Sequence, residues 1–137
     1  MGRDRRTPIR LLIADDESHF RSGLRVILEQ SPVPITVVAE ATNGDEAIEQ
    51  ARLKLPDVAL LDVRMPGTDG IRAARAITAA VPGTRILMLT VSDNPEDLVL
   101  AANAGAAGYL LKERSIEEVV DAVLSLADGQ SWPLAAG

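Results

Sequence analysis

Five short apolar runs, at residues 9–14, 35–39, 57–61, 85–89 and 107–111, alternate with stretches whose apolar residues recur three and four positions apart. Strands that alternate with one-faced helices predict a parallel sheet joined by crossover helices, because a parallel pair cannot be closed by a short hairpin. Phe20, Leu24, Ile27 and Leu28 outline the first helix and Ala47, Ile48, Ala51 and Leu55 the second. Ile71, Ala74, Ile77 and Val81 outline the third, Leu98, Val99 and Ala102 the fourth, and Ile116, Val119, Val120, Val123 and Leu124 the fifth. Capping chemistry agrees: Asn94 precedes Pro95, Ser115 stands three residues before Glu118, and Gly129 is placed to close the last helix. Five right-handed βα units give an α/β fold, a doubly wound five-stranded parallel sheet flanked by five helices.

A chain of 137 residues suits one such domain. With only 2% aromatic residues, its core must be filled by Ala, Leu, Ile and Val. Twenty acidic against fourteen basic residues disfavour direct binding of this chain to a nucleic-acid backbone. No cysteine is present, which excludes disulfides and thiolate chemistry and fits a cytoplasmic location. The apolar run after Met1–Arg6 is interrupted by Arg10 and stops at Asp15, too short for a signal peptide or a membrane span, so no membrane partner is expected. Residues 1–7 are expected to be a disordered extension, 8–130 the domain, and 131–137 a tail or the start of a linker.

Doubly wound sheets bind ligands outside the carboxyl ends of their strands. Those ends carry Asp15-Asp16-Glu17 after the first run, Asp62 after the third, Thr90 after the fourth, and Tyr109 to Lys112 in the fifth. Carboxylates gathered on one rim repel unless a cation intervenes, and oxygen ligands without His or Cys suit a hard ion such as Mg²⁺. Taken singly, Asp15-Asp16 reads equally well as a solvated acidic loop. Lys112 alone reads as a surface cation or a partner for Asp62, Thr90 as an ordinary strand residue, and Tyr109 as core with a wet phenol tip. Together they suit phosphoryl chemistry, which depends on positioning and charge neutralisation. His19 is expected on the surface, and Trp132 has no assigned role.

DDE at 15–17, LLDVRMPGTDG at 60–70, LTVS at 89–92 and GYLLK at 108–112 resemble the receiver domain of two-component response regulators, over about residues 8–130. With the late Asp128-Gly129-Gln130, the pattern is most similar to the NarL/FixJ (LuxR-type) regulators. The resemblance implies a flavodoxin-like (βα)5 fold and Asp62 as phosphoacceptor from a sensor histidine kinase. It also implies Mg²⁺ held by Asp15, Asp16, Asp62 and the backbone carbonyl of Arg64, with Asp15 acting largely through a water. Lys112 would pair with the phosphoryl oxygens, Thr90 would move toward them, and Tyr109 would turn inward as the second half of the switch. Such a domain is not an enzyme beyond its own phosphorylation and dephosphorylation. Family members usually control transcription through a C-terminal helix-turn-helix domain, not present in this chain, and a phosphorylation-dependent homodimer is a further implied partner. Alternatives are a stand-alone single-domain regulator, a Mg²⁺-dependent phosphohydrolase with an aspartyl nucleophile, and a pseudo-receiver. Arg64 stands where a phosphohydrolase would want a second carboxylate, and the site positions are all filled, against a pseudo-receiver. A dinucleotide-binding fold is excluded because DDESHF stands where its glycine-rich turn should follow the first strand. Val91, where receivers often have a very small residue, is expected to slow turnover of the acyl phosphate.

Overall fold

Continuous apolar strands need cover on both faces, and the computed structural model, which describes residues 7–132, provides it. The strands are β1 (Ile9–Ala14), β2 (Ile35–Ala41), β3 (Val58–Leu61), β4 (Arg85–Thr90) and β5 (Gly108–Leu111). They form one parallel sheet in the order β2-β1-β3-β4-β5. Between and after them run α1 (Ser18–Glu29), α2 (Gly44–Lys54), α3 (Gly70–Ala80), α4 (Pro95–Asn103) and α5 (Ile116–Ala127). No helix among the described residues is long and apolar enough to cross a membrane. Most of the expected N-terminal extension and tail, residues 1–6 and 133–137, lies outside the described residues.

Alternation along each strand sorts the core into two halves. Leu11 and Ile13 of β1, with Val58 and Leu60 of β3, pack with Leu24 and Leu28 of α1 and Val119, Val123 and Leu126 of α5. Leu12, Ala14, Ala59 and Leu61 face the other way, onto Ala47 and Ala51 of α2, Ala73, Ala74 and Ile77 of α3, and Ala101 of α4. The alanines on that side offer short side chains, which let helices lie close to the sheet and supply the compactness that aromatics provide elsewhere.

Local signals set most helix starts. The side chains of Asn43, Asp69, Asn94 and Ser115 accept from Glu46 N, Arg72 N, Glu96 N and Glu118 N, and Pro95 opens α4 as expected. Gly129 follows α5 with φ +85°, a conformation that glycine adopts without a Cβ clash.

Four expectations change. Leu55 is no part of the buried stripe of α2: it caps the helix in the left-handed region, φ 49°, and is 61% exposed. Ile27 of α1 also faces outward. In α4 the predicted apolar face is displaced, since Val99 and Leu100 are 57% and 43% exposed while Asp97 and Ala101 are buried. A helix of nine residues with apolar groups all round carries no unique face in its sequence, and the packing partner decides. Trp132 is more than tail, for its N–H donates to the carbonyl of Ala107 at 3.0 Å and its ring packs on the α1/α5 half of the core. His19 is exposed, as expected.

Candidate functional site

Strand register builds the site. Ala14 pairs with Leu61 across β1 and β3, so the next residues, Asp15 and Asp62, leave the sheet side by side, and Asp62 N donates to the carbonyl of Ala14 at 3.1 Å. These two strands flank the point where the sheet order reverses, which opens a crevice between the connections leaving in opposite directions. Thr90 pairs with Leu111 across β4 and β5, and Lys112 N donates to Thr90 O at 2.9 Å, which brings the threonine and the lysine to the same rim.

Oxygens of Asp15, Asp16 and Asp62 lie within 4.8 Å of one another, Asp16 exposed and the other two buried. Lys112 Nζ meets Asp15 Oδ2 at 2.6 Å and Asp62 Oδ2 at 3.0 Å. Its ammonium also sits 4.2 Å from the centroid of the Phe20 ring, a cation–π contact that sequence reading missed. The second oxygens are held from the backbone, Asp15 Oδ1 by Glu17 N at 2.9 Å and Asp62 Oδ1 by Arg64 N at 3.2 Å. Arg21 fixes the turn from below, with Nη1 on the carbonyl of Asp15 at 2.7 Å and Nε on Glu40 at 3.0 Å.

A simple ion pair would lower the acid and raise the base, yet here both rise. Burial pushes the Asp15 carboxyl above its ordinary value; the Asp62 charge adds to this, and the hydrogen bonds from Lys112 and Glu17 N do not offset it. For Lys112 burial opposes the ammonium, but the hydrogen bonds to Asp15 and Asp62 outweigh that and hold it above the usual lysine value. Lys112 therefore stays charged and Asp15 is the strained member. Three carboxylates facing one ammonium leave excess negative charge that a cation would relieve, and the all-oxygen donor set suits a hard ion.

Thr90 is fully buried, its Oγ1 accepting from Ser92 N at 3.2 Å. Tyr109 is half-buried and donates its hydroxyl to the carbonyl of Ser92 at 2.8 Å. All the predicted side chains thus share one region, with Tyr109 joined to it through Ser92.

Gly70, the last residue of the LLDVRMPGTDG stretch, also belongs to the site, through its backbone. A Cβ there would stand 1.8 Å from the carbonyl oxygen of Asp62, so the start of α3 presses on the backbone behind this carboxylate.

The chain matches the response regulator receiver domain family over residues 11–124. It is 42% identical over 122 residues to the transcriptional regulatory protein NarL of Mycobacterium tuberculosis, covering 89% of this chain and 56% of that protein. Its identity to the transcriptional regulatory protein YxjL of Bacillus subtilis is 41% over 123 residues, covering 90% of this chain and 56% of YxjL. The chain thus spans little more than half the length of these curated relatives. Among solved structures, the signal receiver domain of NarL from Mycobacterium tuberculosis superposes with a TM-score of 0.84 at 41% identity, covering 90% of this chain and 98% of that one. The carboxylate cluster at the switch point of a 2-1-3-4-5 sheet, the family match and these relatives agree: the chain belongs to the response regulator receiver domains, of the NarL type.

Proposed function

We propose that Asp62 is the phosphoacceptor of a two-component signalling step. The observation that carries this reading is a carboxylate at a strand end, braced from behind by Gly70, with the Lys112 ammonium 3.0 Å away and two further carboxylates within 4.8 Å. An Asp62 oxygen attacks phosphorus, the bond from phosphorus to the donor breaks, and the donor leaves as an imidazole from a kinase phosphohistidine or as acetate from acetyl phosphate. The product is an acyl phosphate, later cleaved by water. Lys112 passes from Asp62 Oδ2 to the phosphoryl oxygens, so the new negative charge finds an ammonium already in place. The Thr90 hydroxyl turns from Ser92 N to the phosphoryl group, and Tyr109, tied to the same Ser92, repositions with it. Positions held in this way make a two-state element biased by one local charge.

Asp16, Asp62 and the Arg64 carbonyl would hold Mg²⁺, with Asp15 acting through a water. When bound, the ion supplies neutralisation of the charge that develops on the transferring group. The activity is confined to the domain's own phosphorylation and dephosphorylation. The partners that fit are a sensor histidine kinase in the cytoplasm, a second copy of the chain after phosphorylation, and DNA reached through a helix-turn-helix domain like those of transcriptional regulators. Residues 8–130 form the receiver unit in this reading. The test is phosphoryl uptake from acetyl phosphate with Mg²⁺, read as intact mass.

Because the cluster exists only in the folded chain, Mg²⁺ should raise the melting temperature, by an amount equivalent to about 2.7 kcal/mol at 100-fold excess over Kd. Asp16→Asn should lose most of that gain, and its melting temperature without metal should not fall, since one repelling charge is gone. The same Mg²⁺ response in mutant and wild type would place the ion elsewhere.

Val91 follows Thr90 directly and is 72% exposed, so its branched side chain stands free beside the buried hydroxyl residue of the site. Val91→Ala is expected to shorten the acyl-phosphate lifetime severalfold by opening the approach of water. Equal decay rates, followed by loss of phosphoryl mass after donor removal, would show that the branched side chain does not gate water.

A further inference from the structure

One carboxylate next to the site, Asp97, takes no part in that chemistry. Asp97, in the first turn of α4, is only 9% exposed, and Arg64 and Ser92 both meet the same one of its oxygens. Asp97 Oδ2 accepts a short hydrogen bond from Ser92 Oγ and takes Arg64 Nη2 at 3.2 Å. Arg64 stands two residues after Asp62 and donates its backbone N–H to Asp62 Oδ1. Ser92 is engaged through all three of its polar groups: N–H to Thr90 Oγ1, carbonyl to Tyr109, hydroxyl to Asp97. A carboxylate with this little exposure needs its donors, so it holds both strongly.

We propose that Asp97 is a positioning residue for the reaction at Asp62: it draws the Arg64 guanidinium toward α4 and fixes Ser92, and so favours the unphosphorylated arrangement. This rests on Asp62 being the phosphoacceptor. Two movements follow from phosphorylation, and Asp97 opposes both. Thr90 Oγ1 must leave Ser92 N, which is easier when Ser92 is free to shift. A phosphoryl group on Asp62 also attracts the Arg64 guanidinium, whose side chain is otherwise 68% exposed and held by the Asp97 carboxylate. The groove between these groups, lined by Arg64, Met65, Ile71, Asp97 and Leu100, leaves the arginine room to swing. The carboxylate of α4 and the phosphoryl group therefore compete for one cation, and the serine hydroxyl decides how firmly the β4–α4 loop resists.

Asp97→Asn keeps the shape and removes the charge. It should bind beryllium fluoride, the phosphoryl mimic, about tenfold more tightly with Mg²⁺ and take up phosphoryl from acetyl phosphate faster, the order expected for loss of a charged hydrogen bond. Asp97→Glu should restore much of the wild-type behaviour. In an Arg64→Ala background the Asp97→Asn effect should shrink to the part carried by Ser92, and it should vanish when Ser92→Ala is added. In the unphosphorylated protein, Asp97→Asn should shift the Arg64 side-chain resonance and speed hydrogen exchange at the Ser92 amide, readouts that need no phosphoryl transfer. Unchanged or weaker beryllium fluoride binding in a folded Asp97→Asn protein, full additivity with Arg64→Ala and Ser92→Ala, or unmoved Arg64 and Ser92 signals would each overturn the proposal. If the wild type gains phosphoryl mass at Asp62 and Asp97→Asn gains it no faster, only the role of Asp97 fails; if the wild type gains none, the phosphoacceptor reading fails, and the resonance and exchange measurements still decide whether Asp97 holds Arg64 and Ser92.

Discussion

Asp62→Asn is expected to gain no phosphoryl mass from acetyl phosphate and Mg²⁺ under conditions in which the wild type gains one group per chain. An amide oxygen is a poor nucleophile and carries no charge, so both the attack and the attraction to Lys112, 3.0 Å away, are lost. The wild-type product should be labile to base and hydroxylamine, as an acyl phosphate is. A kinase should accelerate its formation without being required, because the domain itself supplies positioning and charge neutralisation. Lys112→Ala and Thr90→Ala should retain the fold while weakening the coupling between phosphorylation and the surroundings of Tyr109. For Lys112→Ala this distinction is sharp: Asp15 and Asp62 lose their shared ammonium, so the site gains net negative charge and leans more on Mg²⁺ to relieve the repulsion. Uptake by Asp62→Asn equal to that of the wild type, at an acid-stable Ser or Thr, would remove Asp62 from the chemistry.

Gly70→Ala is the second substitution with a large expected effect, and it acts through one methyl group. That Cβ would lie 1.8 Å from the carbonyl oxygen of Asp62, 2.7 Å from its carbonyl carbon and 3.1 Å from the Cα of Val63. These are backbone atoms at the end of a buried strand, so no flexible side chain can give way. Either α3 separates from β3, losing the bond from Gly70 N to the carbonyl of Val63 at 2.9 Å, or the Asp62 backbone is displaced from Lys112. Overpacking of this kind costs about 3 kcal/mol or more, and a displacement near 1 Å at a reacting group also slows chemistry steeply. Urea denaturation should show the loss of stability, and phosphoryl uptake should fall with it. Gly23→Ala is the control: a Cβ there meets nothing within 4 Å, on an exposed helical position, so stability should hold or rise by up to about 1 kcal/mol. A Gly70→Ala protein with wild-type stability and uptake would show that the strand end tolerates the shift.

The layout of the fold is encoded locally along the chain. Runs such as IRLLIA and DVALL are short, unbroken and apolar, which is compatible with strands covered on both sides and with little else once helical patterns separate them. A parallel sheet in turn brings its carboxyl ends to one rim, so the strand pattern alone groups Asp15, Asp62, Thr90 and Lys112. Helix starts were equally legible where a cap lies within three residues of the group it binds, as at Asn94 and Ser115. Tertiary structure decided what depends on distant partners. The register of β1 with β3 sets Asp15 beside Asp62, and the adjacency of β4 with β5 gives Thr90 its neighbour Lys112. No periodicity in the nine residues of α4 reveals that Asp97 faces inward, because Arg64 and Ser92, which make that burial tolerable, come from two other loops. Gly70 closes the LLDVRMPGTDG motif, but the steric reason for it, the Asp62 carbonyl pressed against it, exists only in the folded chain, as does the Ala107 carbonyl that holds Trp132. The physical reason is the range of the forces: hydrophobic periodicity and capping are encoded within one or two turns of chain, whereas steric exclusion and the desolvation of a carboxylate are settled only by atoms that folding brings together.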